Sequence, residues 1–204
     1  MKEIFSLGEA AAIAELSADT VRTAVEKKSV IPSSRRRAGK ATRHGFSAGD
    51  VLLVKVLSEF PFPLSKQDKQ SLAQMLSRGK RQAGPWSQRG ANLVYGAGEM
   101  RLTVNSQPIL RKIRENVAAY RWGKRRVVSS PEVLGGEPVF RGTRIPVEHV
   151  ASLFRKSVPE RQIAEDFPAL SDRDLAYARL LSRIGAKPGR PRRRLIMERE
   201  GRAA

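Results

Sequence analysis

The apolar residues near the start of the chain recur at helical spacing and predict two short helices. Ser6 is a good N-cap, with Glu9 as its capping-box partner, for an alanine-rich first helix. Ser17 can cap a second helix that carries Val21 and Val25 on one face. Two helices joined by so short a turn are typical of a helix-turn-helix, although the same pattern also occurs in folds that bind nothing.

A basic, apolar-poor segment follows at residues 33–45, after the extended stretch 30–32. We expect a flexible wing that lies on phosphates, because closely spaced cations repel one another unless something neutralises them. A solvated charge run is the alternative interpretation. The cations of the wing are Arg35, Arg36, Arg37, Lys40 and Arg43.

The pattern predicts further elements up to residue 126. Ser47 and Asp50 form another cap before an apolar helix, and a helix over about 65–77 follows. From Asn92 to Val104 the period changes to two, which predicts a β-hairpin. Helical spacing then returns from residue 109, and the basic run 124–126 follows it. We interpret residues 1–60 as one unit and 61–126 as its basic continuation.

The last third of the chain opens with glycine- and proline-rich turns around residues 135–146. Helices are predicted at 147–157, 159–166 and 172–184. Residues 127–186 are therefore expected to form a compact helical domain. The tail, 187–204, contains too little apolar surface to offset the entropy of ordering it and is expected to be disordered alone. The predicted fold class is thus mainly α with a small β-hairpin and wing.

The amino-acid composition of the chain limits the kinds of ligand and partner that we expect it to bind. The chain has 204 residues, a formal charge of +19, no cysteine and two histidines, so we expect no disulfide and no thiolate or histidine-rich metal site. Most of the charge lies in residues 61–130, where fourteen Lys and Arg stand against three Asp and Glu. Residues 131–187 carry nine against eight and are nearly neutral. Polyanions are expected to bind the first region and not the second.

The sequence also argues against a membrane protein, a secreted protein and an enzyme. No apolar stretch reaches the roughly 18 residues of a membrane span and the start has no signal-peptide core, so we expect a cytoplasmic protein. Four acids at 165, 166, 172 and 174 could gather around a metal, but helix capping explains them more simply, and we expect no enzymatic activity and no cofactor. The aromatics Trp86, Tyr95, Tyr120 and Trp122 either stack on bases or, as we favour, pack in the core.

The order of features in residues 5–58 resembles the winged helix-turn-helix of MerR-like regulators. Thr20-Val21-Arg22, then Val30-Ile31-Pro32, the arginine wing, Phe46-Ser47 and Asp50-Val51 carry the likeness. A tyrosine pair usual in that family is replaced by Thr23 and Ala24. The resemblance implies that the second helix enters the major groove while the wing cations grip the backbone. The candidates on that helix are Thr20, Arg22, Thr23, Glu26 and Lys27.

The segment from Gly136 to Val147, GEPVFRGTRIPV, followed by Pro159-Glu160 and the stretch 166–175, resembles a small domain-of-unknown-function family numbered 433. The likeness spans about 127–184 and implies a compact helix-turn-helix-like domain found in antitoxins. With the DNA-binding front half, the layout resembles a VapB-type antitoxin. Arg141 and Arg144 either contact a partner or pair with nearby Glu137, Asp166 and Asp172.

We therefore expect an antitoxin that forms a homodimer or a larger toxin-antitoxin assembly, binds a two-fold double-stranded DNA operator, represses its own operon and neutralises a PIN-like ribonuclease toxin. Alternatives are a stand-alone transcriptional regulator and, less favoured, an RNA-binding module. The tail either folds onto the toxin or is solvated or bound to phosphate. Its candidate contacts are Arg190, Arg192, Arg193, Arg194, Leu195 and Ile196.

Overall fold

The computed structural model describes residues 3–38, 41–60, 64–78, 81–90 and 92–184, with all side chains in these ranges except those of residues 36–38, 41, 77–78 and 97. This part of the chain is mainly α, as the sequence predicts. Its helices are α1 (Leu7–Ala14), α2 (Ala18–Glu26), α3 (Ala48–Ser58), α4 (Lys66–Arg78), α5 (Ser106–Arg126), α6 (Val147–Arg155), α7 (Glu160–Asp166) and α8 (Asp172–Ser182).

The strands form three small antiparallel sheets. The first contains β1 (Ser34–Ala38) and β2 (Ala41–Gly45), the second contains β3 (Gln82–Ala83), β4 (Trp86–Arg89), β5 (Asn92–Ala97) and β6 (Met100–Asn105) in that order, and the third contains β7 (Val127–Val128) and β8 (Val139–Phe140).

The predicted N-terminal caps are confirmed. Ser6 and Glu9 form a complete capping box on α1, and Ser47 and Asp50 form another on α3. Ser17 caps α2 by accepting a hydrogen bond from the backbone N–H of Thr20. These side chains satisfy helix-end N–H groups that otherwise have no partner. The helix starts are therefore fixed by local chemistry.

Residues 34–38 and 41–45 pair as the two strands of a β-hairpin, so the segment predicted as a wing has a regular paired backbone, while its flexibility stays a prediction. Ser34 pairs with Gly45, and the register continues to Ala38 and Ala41. Backbone hydrogen bonds of 2.8 Å in both directions join Phe46 to Phe5 at the base of the hairpin. The charge run concealed the ladder from sequence reasoning, because main-chain pairing does not require an apolar face on both strands.

The hairpin expected at 92–104 belongs to a larger sheet. β5 and β6 match the prediction, but β3 and β4 extend the sheet on the other side of β5. Trp86 of β4 is fully buried and lies edge-on to Phe60, with ring centroids 5.1 Å apart. The indole N–H donates a 2.8 Å hydrogen bond to the carbonyl oxygen of Asp68 in α4. The sheet is thereby fixed to α4.

Helix α5 is longer than the sequence indicates. It begins at Ser106 and includes the basic run 124–126 as its last turn, where the cations complement the carboxyl end of the helix dipole. It packs against α3 on one side and α8 on the other. The expected helices of the last third are confirmed with ends shifted by at most two residues. One continuous apolar core runs from Phe5 through Ile113 and Val117 to Leu180.

Candidate nucleic-acid interface

The outer side of α2 is the first part of the candidate interface. Val21 is buried and Ala24 and Val25 are half-buried, so they turn one side of the helix inward. At 100° per residue, the remaining positions form one continuous polar arc. This arc contains every helical candidate that the sequence named, and all are exposed: Thr20, Arg22, Thr23, Glu26 and Lys27.

Two contacts within α2 set the directions of its polar side chains. The hydroxyl of Thr20 lies 2.8 Å from that of Ser17, the residue that caps the helix. Arg22 forms an ion pair with Asp19, and the two side chains are 56% and 81% exposed. Such an exposed pair contributes little to stability, so Arg22 can exchange Asp19 for another acceptor at little cost.

The hairpin β1–β2 follows α2 in the chain and is anchored at its base. The backbone N–H and the hydroxyl of Ser33 donate hydrogen bonds of 3.1 and 2.6 Å to the carboxylate of Asp50, the residue that also completes the cap of α3. A Cβ on Gly45 would lie 2.2 Å from the Ser34 hydroxyl oxygen, so the strands meet too tightly there for a side chain. The base of the hairpin therefore holds a defined position relative to α3.

The hairpin brings cations together without acids between them. Arg35 lies across from His44, and Arg36 lies directly across from Arg43. Like charges in opposite positions of a ladder repel each other, and an anion relieves that repulsion. Arg35 and Arg43 are exposed, and no described ion pair includes either.

The remaining wing residues of interest are three predicted cations and the neighbouring His44. The side chains of Arg36 and Arg37 and the whole of Lys40 lie outside the described residues. His44 is half-buried, and its Nδ1 atom has no hydrogen-bond partner in the described part of the chain. The described wing thus places two of its five candidate cations, Arg35 and Arg43, at the surface.

The candidate partner contacts of the last third lie in a tight turn between β8 and α6. Gly142 has a φ of +78°, a conformation that favours glycine, and the Thr143 hydroxyl donates a 2.8 Å hydrogen bond to the Phe140 carbonyl. Arg141 and Arg144 are both exposed, and no ion pair among the described residues includes them. Their alternative role as partners of Glu137, Asp166 and Asp172 is not seen. The tail candidates Arg190, Arg192, Arg193, Arg194, Leu195 and Ile196 lie outside the described residues.

A buried carboxylate joins the last third to α5. Asp174 is 0% exposed and completes the cap of α8 with Ser171. It also accepts hydrogen bonds from the indole N–H of Trp122 at 2.9 Å and from Nε of Arg126 at 3.2 Å. Burial raises the pKa of Asp174, but the Ser171 N–H, the Trp122 indole and Arg126 outweigh it and lower the pKa below its ordinary value. The sequence indicated the cap and missed the link.

A second polar link joins α1, α5 and α8. Buried Asn116 donates a 2.9 Å hydrogen bond to the carbonyl of Ile13, and Glu15 accepts hydrogen bonds or ion pairs from Asn116, Lys112 and Arg183. Burial opposes ionisation of Glu15, but Arg183 and the other donors outweigh it and lower its pKa. Asn116 stands on the apolar face of α5 between Ile113 and Val117. A polar residue in that position is a signal that sequence analysis could have used.

The aromatic residues mostly pack in the core, as favoured. Trp86, Tyr95 and Tyr120 are buried, and Trp122 is half-buried. Tyr120 packs against Phe5 of the N-terminus, at 5.3 Å between ring centroids, and not against the sheet. In the described ranges, no group of three His, Asp or Glu side chains is arranged to hold a metal ion, and no helix there is long and apolar enough to cross a membrane.

Comparison with known proteins supports the sequence resemblance in the last third. The chain is 34% identical over 95 residues to a protein of Sinorhizobium fredii named "Uncharacterized protein y4eO". That alignment covers 47% of this chain and 42% of the relative, so the chain spans less than half of the relative's length. Residues 127–179, which run from β7 into α8, match the family model described as "Protein of unknown function (DUF433)".

Proposed function

We propose that this chain is a DNA-binding antitoxin whose N-terminal region acts as a winged helix-turn-helix. The observation that carries the proposal is the exposed polar arc of α2, followed in the chain by an anchored hairpin that exposes Arg35 and Arg43. A helix of that kind enters the major groove, and a basic hairpin contacts the adjacent phosphates. A palindromic operator would require two copies of the chain.

The last third supports a protein partner. Residues 131–187 are nearly neutral in charge, and three of the eight described cations in 127–184 pair with carboxylates of the same region, Arg155 with Glu148, Arg161 with Glu165 and Arg179 with Glu160. The match to the family numbered 433, which the sequence analysis linked to antitoxins, adds to this argument. The proposed partner is a PIN-like ribonuclease toxin, and Arg141 and Arg144 are the described side chains offered to it.

The DNA part of the proposal is tested by fluorescence anisotropy with a duplex from upstream of the gene and an unrelated duplex. Arg22→Ala should relax the preference for the upstream sequence or cost about 1 to 3 kcal/mol. Arg43→Ala should weaken binding to both duplexes alike and reduce the salt slope by about one. Equal, sequence-independent losses from both variants would contradict groove reading by α2.

The partner part is tested by co-expression with the adjacent reading frame, followed by co-purification. A truncation after residue 130 is unsuitable, because α8 covers part of α5 and its removal would expose the core. The double variant Arg141→Glu, Arg144→Glu should instead lose the partner, whereas Lys156→Glu, an exposed charge reversal on the same region, should retain it. A wild-type chain that binds the operator but captures no neighbour would indicate a stand-alone regulator.

A further inference from the structure

The solvent face of the four-stranded sheet carries arginines and polar side chains without a carboxylate, and the proposed α2 interface does not explain this composition. Side chains alternate between the two faces of a strand, and the register places one set on the side away from α4. Arg89 lies in a row with Asn92, and Ser87 lies in a row with Val94 and Thr103. Arg101 lies across from Gly96. No carboxylate belongs to this set in the described strands, and we name it the outer sheet face: Gln82, Ser87, Arg89, Asn92, Val94, Gly96, Arg101, Thr103 and Asn105.

The arginines of the outer sheet face are available to a ligand. Arg89 and Arg101 are both exposed, and no ion pair in the described part of the chain includes them. By contrast, Arg126, Arg179 and Arg183 all have carboxylate partners. Arg89 and Arg101 stand two strands and four residues apart, which is about 17 Å between their Cα atoms at ordinary sheet spacings. The two side chains therefore reach different phosphates.

Gly96 leaves room on this face for the close approach of another molecule. It is not in a left-handed conformation, and the nearest atom to a Cβ built on it is the Met100 carbonyl oxygen, 4.0 Å away. Neither backbone geometry nor packing therefore requires glycine there. A glycine inside a strand weakens the strand, and it often marks a close approach of another molecule. Its absent side chain leaves a gap beside Arg101.

The arrangement favours a duplex over a single strand. Single-stranded nucleic acids are held by aromatic rings on which bases stack, but Trp86 and Tyr95 lie on the opposite, buried face of this sheet. Apart from Val94 and Gly96, the outer sheet face offers polar side chains and arginines. Hydrogen-bond donors and cations of this kind are typical of contacts to a phosphate backbone.

We propose that the outer sheet face is a second DNA contact, which binds the phosphate backbone of duplex DNA. This inference rests on the proposed DNA-binding function and deepens it, because it assigns a role to the sheet between α4 and α5. The contact is independent of base sequence. It lengthens the footprint and increases the salt dependence of binding.

The test compares wild type with Arg89→Ala, Arg101→Ala on a 40-base-pair duplex of random sequence, from 50 to 200 mM salt. Loss of two phosphate contacts should reduce the slope of log affinity against log salt by about 1.8, so that the wild type loses about tenfold more affinity than the variant over this range. The matched control, Lys156→Ala with Arg161→Ala, removes two exposed charges from the last third and should leave the slope unchanged. Melting curves that match the wild type show that the variants fold.

A second variant tests the face without removing an arginine. Gly96→Glu places a carboxylate across from Arg101 and should weaken duplex binding, whereas Gly96→Gln adds similar bulk without charge and should weaken it less. If the arginine variant follows the control while the wild type binds duplex, the outer sheet face is not a DNA contact and the proposed function stands. If the arginines matter only for a single-stranded 40-mer or for protein capture, this proposal is also wrong. A wild type that ignores duplex at 50 mM salt overturns the proposed function itself.

Discussion

The N-terminal region and the last third both use short helices but treat their charges differently. Around α2 and the hairpin, Arg35 and Arg43 face solvent without a described carboxylate partner. In α6 to α8, most described cations contact acids of the same region or an aromatic ring, as Arg161 contacts Glu165 and Arg173 lies over Trp122. Similar backbone architecture thus supports two surfaces. The unpaired cations around the hairpin suit a polyanion, whereas in the last third Arg141 and Arg144 stand unpaired among cations that already have partners.

The two regions are nevertheless joined by two polar links, one through the buried Asp174 and one through the partly exposed Glu15. Asp174 connects α8 to α5, and Glu15 connects α1 to α5 and α8. Polar links of this kind are specific, because any partner left alone in the interior is costly. These links raise the question of whether the two regions unfold cooperatively. The following predictions test whether the regions unfold as one unit or separately.

The largest effect is expected from Asp174→Ala. This change leaves the Trp122 indole N–H and Arg126 without their acceptor and removes the cap of α8. Breaking a buried charge pair on one side should lower the free energy of unfolding by about 3 kcal/mol. Urea denaturation followed by tryptophan fluorescence and by circular dichroism should show one earlier transition in both signals. A loss under 1 kcal/mol, or two separate transitions, would show that the regions fold independently.

A smaller loss is expected from Gly123→Ala at the same seam. A Cβ on Gly123 would lie 2.2 Å from the ring of Tyr177, so α5 and α8 must move apart. Overpacking of this kind costs about 1 to 3 kcal/mol, although the better helix propensity of alanine returns part of it. The matched control is Gly49→Ala in α3, where the nearest atom is 3.7 Å away and a slight gain is expected. Thermal melting of both variants distinguishes crowding from a general effect of glycine removal.

The sequence predicted what local chemistry determines and missed what distant contacts determine. The caps at Ser6, Ser17 and Ser47 depend on neighbours three residues away, so their signals are visible in the chain. The pairing of Ser33 with Asp50 and the extra strand around Trp86 depend on distant partners. The spacing of polar residues likewise predicted that the candidates of α2 share one surface, but it did not show that Arg22 forms an ion pair with Asp19. Exposure of single side chains was predictable, whereas their partners were not.

The smallest effect is expected from Glu15→Gln and concerns how the stability of the chain depends on pH. Because the pKa of Glu15 is lowered in the fold, its ionised form stabilises the chain above the ordinary value of 4.5, and this contribution disappears as the pH falls through the lowered pKa. Glu15→Gln removes the ion pairs with Lys112 and Arg183, which are worth up to about 1 kcal/mol at this partial exposure. Urea denaturation should give a difference between wild type and variant that is present at pH 7 and narrows below pH 4.5. A difference independent of pH would mean that the charge of Glu15 does not hold the two regions together.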